Sequence, residues 1–256
     1  MKRILSYSLW CQQQPIDNYD YQTPNMYCNG AIQNMKLQQE QTLYSDWNFR
    51  FYINQTVPKE VQTQLTNMGA ELIDMTGSKI PGMFWRFLPL DDPTVDIFIV
   101  RDTDSRINRR EEIAVNAWLA SDKLLHVMRD HPHHYYKILG GMWGYKNYKQ
   151  RLSITPLIHK FLQVRNYRFT RMDDMKFLDS VYDYCYAKKQ TLEHDQYFSY
   201  PNSQPFPAEE TTDTNRYYHF VGEIFNEHNQ NPNYERNKTL MTNQYYKKVI
   251  LSKPYR

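Results

Sequence analysis

The feature that most constrains this chain is the run Val95-Asp96-Ile97-Phe98-Ile99-Val100, which ends abruptly in Arg101-Asp102-Thr103-Asp104-Ser105-Arg106. Successive Val, Ile and Phe supply apolar side chains to both sides of an extended segment, which predicts a central strand in a sheet covered on both faces. Sheets of that kind are mainly parallel and carry their ligand sites just beyond the carboxyl ends of the strands. Alternate side chains of an extended chain share a side, so Asp102 and Asp104 are expected to point together while Thr103 turns away. Two such carboxylates suit a hard divalent cation, Mg²⁺ or Mn²⁺, which commonly completes its shell with phosphate oxygens from a ligand. Solvated surface charge is the competing reading of the same motif.

The rest of the chain supports an α/β fold. Arg3 to Trp10 is apolar enough for a first strand, Asn29 to Leu43 has helical character, and Asn48 to Ile53 alternates as a strand. Val57, Val61, Leu65 and Met68 recur at helical spacing until Gly69, and Ala70 to Met75 reads as a third strand. After the Asp102 segment, Asn108 followed by Glu111 gives a capping-box-like start to a helix with Ile113, Ala114, Ala117 and Trp118 on its apolar face. Further expectations are strands at His126 to Met128 and Lys137 to Tyr145, and a helix from Pro156 capped by Thr155. A last helix, Asp173 to Lys188, packs Phe177, Leu178, Val181 and Cys185. Beyond Thr191 the pattern becomes loop-rich. Residues 1–225 are read as one domain and 226–256 as a basic, Tyr-rich appendage.

Composition narrows the function. With 256 residues and 41% hydrophobic residues the chain can bury a sizeable core, and 31 basic against 28 acidic residues is too even a balance for a nucleic-acid binder. Cys11, Cys28 and Cys185 form neither a CxxC pair nor an even framework, which predicts a reduced, cytoplasmic protein, in the host cytoplasm or virion if the source is viral. No signal segment and no apolar run of about 18 residues is present, so no transmembrane segment is expected. His126, His131, His133 and His134 have no cysteine nearby and match no common structural zinc spacing.

The stretches SLW (8–10), FRFYIN (49–54), GMFWRFL (82–88), VRDTDSRINRREEIAVNAWLAS (100–121), MRDHP (128–132) and GGMWG (140–144) resemble a family of glycosyltransferases from bacteria and large DNA viruses, over most of residues 1–225. More distantly, the order of parts resembles the glycogenin and lipopolysaccharide galactosyltransferase group. The resemblance implies a GT-A (Rossmann-like) fold with a mixed, mainly parallel sheet. It places Asp102 and Asp104 on the cation and donor, and Arg86 on donor phosphate or sugar. Gly140 and Gly141 would let the backbone approach the donor sugar. Leu9 and Trp10 of SLW would lie at the donor, and Trp143 is the tryptophan assigned to sugar contact. Asp174 matches the Asp of an Asp-Gln pair, although Met175 replaces the glutamine, which leaves retaining or inverting chemistry open. His194 is the leading third metal ligand, with His219 and His228 as rivals. Arg129 and Asp130 are assigned to sugar hydroxyls, with Asp130 a second catalytic carboxylate.

The expected function is therefore metal-dependent transfer of a sugar from a nucleoside-diphosphate sugar, with UDP the expected carrier, to a glycan or glycoconjugate hydroxyl. A sugar nucleotidyltransferase is the alternative enzyme, but the residues after Trp10 (CQQQPIDNYD) lack its glycine-rich, basic loop. A non-catalytic carbohydrate-binding protein on the same fold is the other alternative, and formation of a homodimer stays open.

Overall fold

The structure is a computed structural model and describes residues 1–10, 24–166, 170, 172–198, 200–208 and 219–242. Cys11 and the basic end of the C-terminal tail lie outside the described residues. Eight strands form one sheet in the order β3-β2-β1-β4-β6-β5-β7-β8. They are β1 (Arg3–Leu9), β2 (Asn48–Ile53), β3 (Glu71–Asp74), β4 (Ile97–Val100), β5 (Leu125–Arg129), β6 (Trp143–Lys146), β7 (Thr191–Asp195) and β8 (Ser203–Gln204). Only β6 runs antiparallel to its neighbours, so this is the mixed, mainly parallel α/β sheet expected from the sequence.

The apolar alternation of the strands builds two cores. In β1, Leu5, Tyr7 and Leu9 enter one face, and Ile4 the other; in β4, Ile97 and Ile99 join the first face while Phe98 and Val100 join the second. The first face is covered by α1 (Pro24–Gln41), α2 (Lys59–Asn67) and α4 (Arg109–Ala120). The second is covered by α3 (Gly82–Trp85), α5 (Ile154–Val164) and α6 (Asp173–Ala187), with Phe177, Leu178, Val181 and Cys185 inward as anticipated. A nine-residue helix in the C-terminal region, α7, spans Tyr234–Thr242. Among the described residues no helix is long and apolar enough to cross a membrane.

Several boundaries differ from the sequence reading for identifiable reasons. α5 starts at Ile154 because Asp91, distant in sequence, accepts from the Ile154 and Thr155 amides at 2.8 and 2.9 Å. A cap supplied by another segment leaves no local signature. Asn108 caps α4 as expected, its side chain accepting from the Glu111 amide at 2.9 Å, but the Glu111 carboxylate turns to Arg101 and Tyr44 rather than closing a capping box. The strand expected over 137–145 is confined to Trp143–Lys146. α1 begins upstream of its predicted start and runs through Gly30, where an added Cβ would strike the Thr103 carbonyl. Only glycine permits that approach of helix to loop.

Asn34 ties α1 to the segment after β4. Its Nδ2 donates to the Gly30 and Ser105 carbonyls at 3.0 and 2.9 Å, and its Oδ1 accepts from the Ile107 amide at 2.9 Å. The residue is buried. Asn34→Ala strands the Ile107 amide in a dry interior and is expected to cost about 2–3 kcal/mol, read as a lower urea midpoint at unchanged slope.

Candidate functional site

Chain order and strand order reverse direction between β1 and β4: the chain steps from β1 to β2 to β3 on one side, then crosses to β4 on the other. That reversal opens a crevice beyond the carboxyl ends of the two strands. Trp10 follows β1 there and Asp102 follows β4.

Arg86 sits in this crevice and divides its planar fork between two carboxylates. Its Nη1 donates to Asp102 Oδ1, and its Nη2 donates to Asp174 Oδ2 at 2.9 Å. β1 fixes the backbone of Arg86: the Ser8 hydroxyl accepts from the Arg86 amide at 2.9 Å and the Ser6 hydroxyl donates to the Arg86 carbonyl at 2.7 Å. Ser6 and Ser8 alternate with Leu5, Tyr7 and Leu9, so the period of the strand delivers two hydroxyls to the α3 side. These serines are absent from the sequence-level site, and the signal for them was two polar residues at a spacing of two inside a buried strand.

Asp174 opens α6 and is almost fully enclosed, whereas the Asp102 side chain is 44% exposed. Burial raises the Asp174 carboxyl above the usual aspartate range, Arg86 opposes that rise, and the negative charge of Asp102 adds to it. Gly140 and Gly141 press on the cluster: an added Cβ at Gly140 would stand 2.6 Å from Arg86 Nη2, and one at Gly141 would overlap the Asp102 carboxylate. The two glycines therefore admit the side chains of the cluster.

The Asp102–Asp104 segment is a turn rather than extended chain. The Asp102 carbonyl accepts from the Ser105 amide at 3.3 Å and from the Ser105 hydroxyl at 2.9 Å. Asp102 opens the turn and Asp104, buried at 8% exposure, lies inside it, so strand alternation does not set the directions of the two carboxylates. Among the described residues no three His, Cys, Asp or Glu side chains gather as a metal site. Two carboxylates, one with solvent access, fit a hard divalent cation that takes its remaining oxygens from a ligand such as a diphosphate.

Five assignments, Trp143, His194, Arg129, Asp130 and Leu9, are corrected. Trp143 is wholly buried in β6, between β4 and β5, with its ring against Phe87 and Phe98, so it offers no face to a sugar. His194 is buried in β7, a strand the sequence reading took for loop; its Nδ1 pairs with His126 Nε2 at 2.8 Å and its Nε2 with Gln204 at 3.0 Å, leaving neither nitrogen for a metal. Arg129 is enclosed, donating to Asp195, Glu193 and the Lys137 carbonyl under the Tyr200 ring. Asp130 is held by Arg110 at 2.8 and 2.9 Å and by the Val221 amide at 2.9 Å, which spends both its oxygens on structure. Leu9 points into the core, while Trp10 is half-buried and meets Trp85 edge-on. Both rival histidines, His219 and His228, belong to a segment at 219–231 that lies across the Asp102–Ser105 turn, through a bridge between Ser105 and Ile224 and a bond from the Phe225 amide to the Asp104 carbonyl at 2.9 Å. His219 Nδ1 faces Glu223 Oε2 at 2.8 Å. Contacts also run across the expected domain boundary at residue 225, from Arg106 to Asn229 and from Asn29 to the Glu227 carbonyl.

No protein-family model matches the sequence, and no curated protein matches it. Among solved structures, the galactosyltransferase LgtC in complex with donor and acceptor sugar analogs is 12% identical with a TM-score of 0.47, covering 99% of this chain and 98% of that one. A 4-diphosphocytidyl-2C-methyl-D-erythritol synthase from Anaerococcus prevotii DSM 20548 is 11% identical with a TM-score of 0.41, covering 70% and 84%. A CMP:2-keto-3-deoxy-manno-octonic acid synthetase complexed with CTP is 10% identical with a TM-score of 0.41, covering 82% and 94%.

The buried histidines make a pH prediction. Burial holds His194 down to about 4 and His131 down to about 3. A depressed value means the unfolded chain takes up the proton first, so the stabilisation is complete above about pH 6.5 and is lost as pH falls toward those folded values. Between pH 7 and 5 the wild type should lose about 2 kcal/mol more than His194→Gln, compared by urea unfolding.

Proposed function

We propose that the protein transfers a sugar from a nucleoside-diphosphate sugar, with uridine as the base, to a hydroxyl of a glycan or glycoconjugate, assisted by Mn²⁺ or Mg²⁺ at Asp102 and Asp104. The observation that carries the reading is the Arg86, Asp102 and Asp174 cluster at the switch point between β1 and β4. An arginine fork, an accessible carboxylate and an enclosed carboxylate together suit a diphosphate and its cation on one side and a sugar carbon on the other.

A divalent cation bound with the diphosphate would neutralise the charge that builds on the leaving nucleotide. Arg86, held from both sides of its backbone by Ser6 and Ser8, is in place to pair with a phosphate oxygen without ordering a mobile side chain. Asp174, with its raised proton affinity, serves as the base that takes the acceptor proton if the reaction inverts the anomeric centre. If the reaction retains it, the same carboxylate stabilises the oxocarbenium-like centre. Trp10, half-buried beside Trp85, is the aromatic ring assigned to the donor.

Thermal unfolding with UDP, GDP, CMP and their sugar conjugates, with and without Mn²⁺, tests the reading. One nucleotide class should stabilise the wild type by about 2.7 kcal/mol at a hundredfold excess over Kd, only with metal, and Asp102→Ala/Asp104→Ala should abolish the effect. Stabilisation by no nucleotide would refute the transferase reading and favour a carbohydrate-binding protein. Because burial disfavours its charge, Asp174→Asn should melt no lower than the wild type at pH 7.5 while sugar transfer falls about 100-fold or more.

A further inference from the structure

Residues 219–231 meet the Asp102–Ser105 turn at Arg106, a side chain that none of the chemistry above uses. Arg106 Nη1 donates to the Thr103 and Ser105 carbonyls at 3.3 and 3.1 Å, the two carbonyls on either side of Asp104. Its Nε donates to Asn229 Oδ1 at 2.9 Å, and its guanidinium lies 5.1 Å from the centre of the Phe225 ring. The carbonyl of Asp104 itself accepts from Phe225. Three consecutive carbonyls are therefore fixed from outside the turn, and with the backbone set on both sides of Asp104 the direction of its side chain follows.

We propose that Arg106 is a positioning residue of the Asp102 and Asp104 site, acting through Asp104, and that it makes residues 219–231 a working part of the cation and nucleotide site. The inference rests on the nucleotide reading above. A mere tie between two loops does not explain the residue type. Arg106 is buried at 7% exposure, its hydrogen-bond acceptors are all neutral, and its Nη2 is buried without a partner. Enclosing a guanidinium without a hydrogen-bonded carboxylate is costly, and a neutral amide could bridge the same carbonyls and Asn229 for less. Positioning groups of this kind behave as the outer partners of metal ligands, whose loss weakens binding without touching the metal.

The test reads the Mn²⁺ concentration at which UDP stabilises the protein. Arg106→Ala should raise that midpoint roughly 10-fold or more. Asn229→Gly removes only the acceptor, since Asn229 has φ of 59°, a conformation glycine adopts freely, and it should move the midpoint in the same direction by a smaller factor. At saturating Mn²⁺ the stabilisation by UDP should reach the wild-type value in both. If both variants keep the wild-type midpoint, even with lower melting temperatures in the absence of ligand, the tie is structural only and the proposal is overturned. If the wild type itself shows no Mn²⁺-dependent effect of UDP, the nucleotide reading fails and this proposal falls with it, a result visible before any variant is made.

Discussion

Everything at the crevice depends on the fork of Arg86 spanning Asp102 and Asp174. Asp102 ends a central strand, Asp174 starts a helix far along the chain, and Arg86 lies between them on a segment that covers the sheet. One guanidinium gathers all three. Its position in turn requires Ser6 and Ser8 on β1 to hold its backbone and Gly140 and Gly141 to leave room beside it. The cluster carries one positive and two negative charges, and of the two carboxylates only Asp102 keeps a side chain with substantial exposure.

The same sheet shows a contrast between carboxylates enclosed by their partners and one that keeps solvent access. Arg129 with Glu193 and Asp195, and Arg110 with Asp130, tie neighbouring strands and loops through carboxylates whose oxygens are taken up internally. Asp102 differs in keeping a side chain nearly half open to solvent. Exposure combined with a fixed neighbour is what lets a carboxylate accept a cation without unfolding its surroundings.

Much of this was legible in the sequence. The Val95–Val100 segment located the central strand, the apolar stretch from Arg3 to Trp10 and the alternation of Asn48–Ile53 located β1 and β2, and the helix beginning after Asn108 had its cap in plain view. Asp102, Asp174 and Arg86 were each singled out, and the structure brings those three together. What failed did so for tertiary reasons. β7 reads Thr-Leu-Glu-His-Asp, polar by any periodicity, yet Arg129, Tyr182, His126 and Gln204 satisfy its side chains from other elements, so it can be buried. Trp143 looked available because glycines surround it, but β6 is an interior strand and both its faces are covered. The role of Arg106 depends on a contact 123 residues away in sequence, beyond any local pattern.

The central claim is that a divalent cation and a nucleotide diphosphate meet at Asp102. Phosphorus NMR of UDP with the protein and sub-stoichiometric Mn²⁺ tests it most directly, because paramagnetic broadening reports distance from the ion to each phosphorus. Both phosphorus resonances should broaden beyond the level of Mn²⁺ and UDP free in solution, and Asp102→Asn should return them to that level. Bound UDP with no added broadening, or broadening that survives Asp102→Asn, would contradict the account.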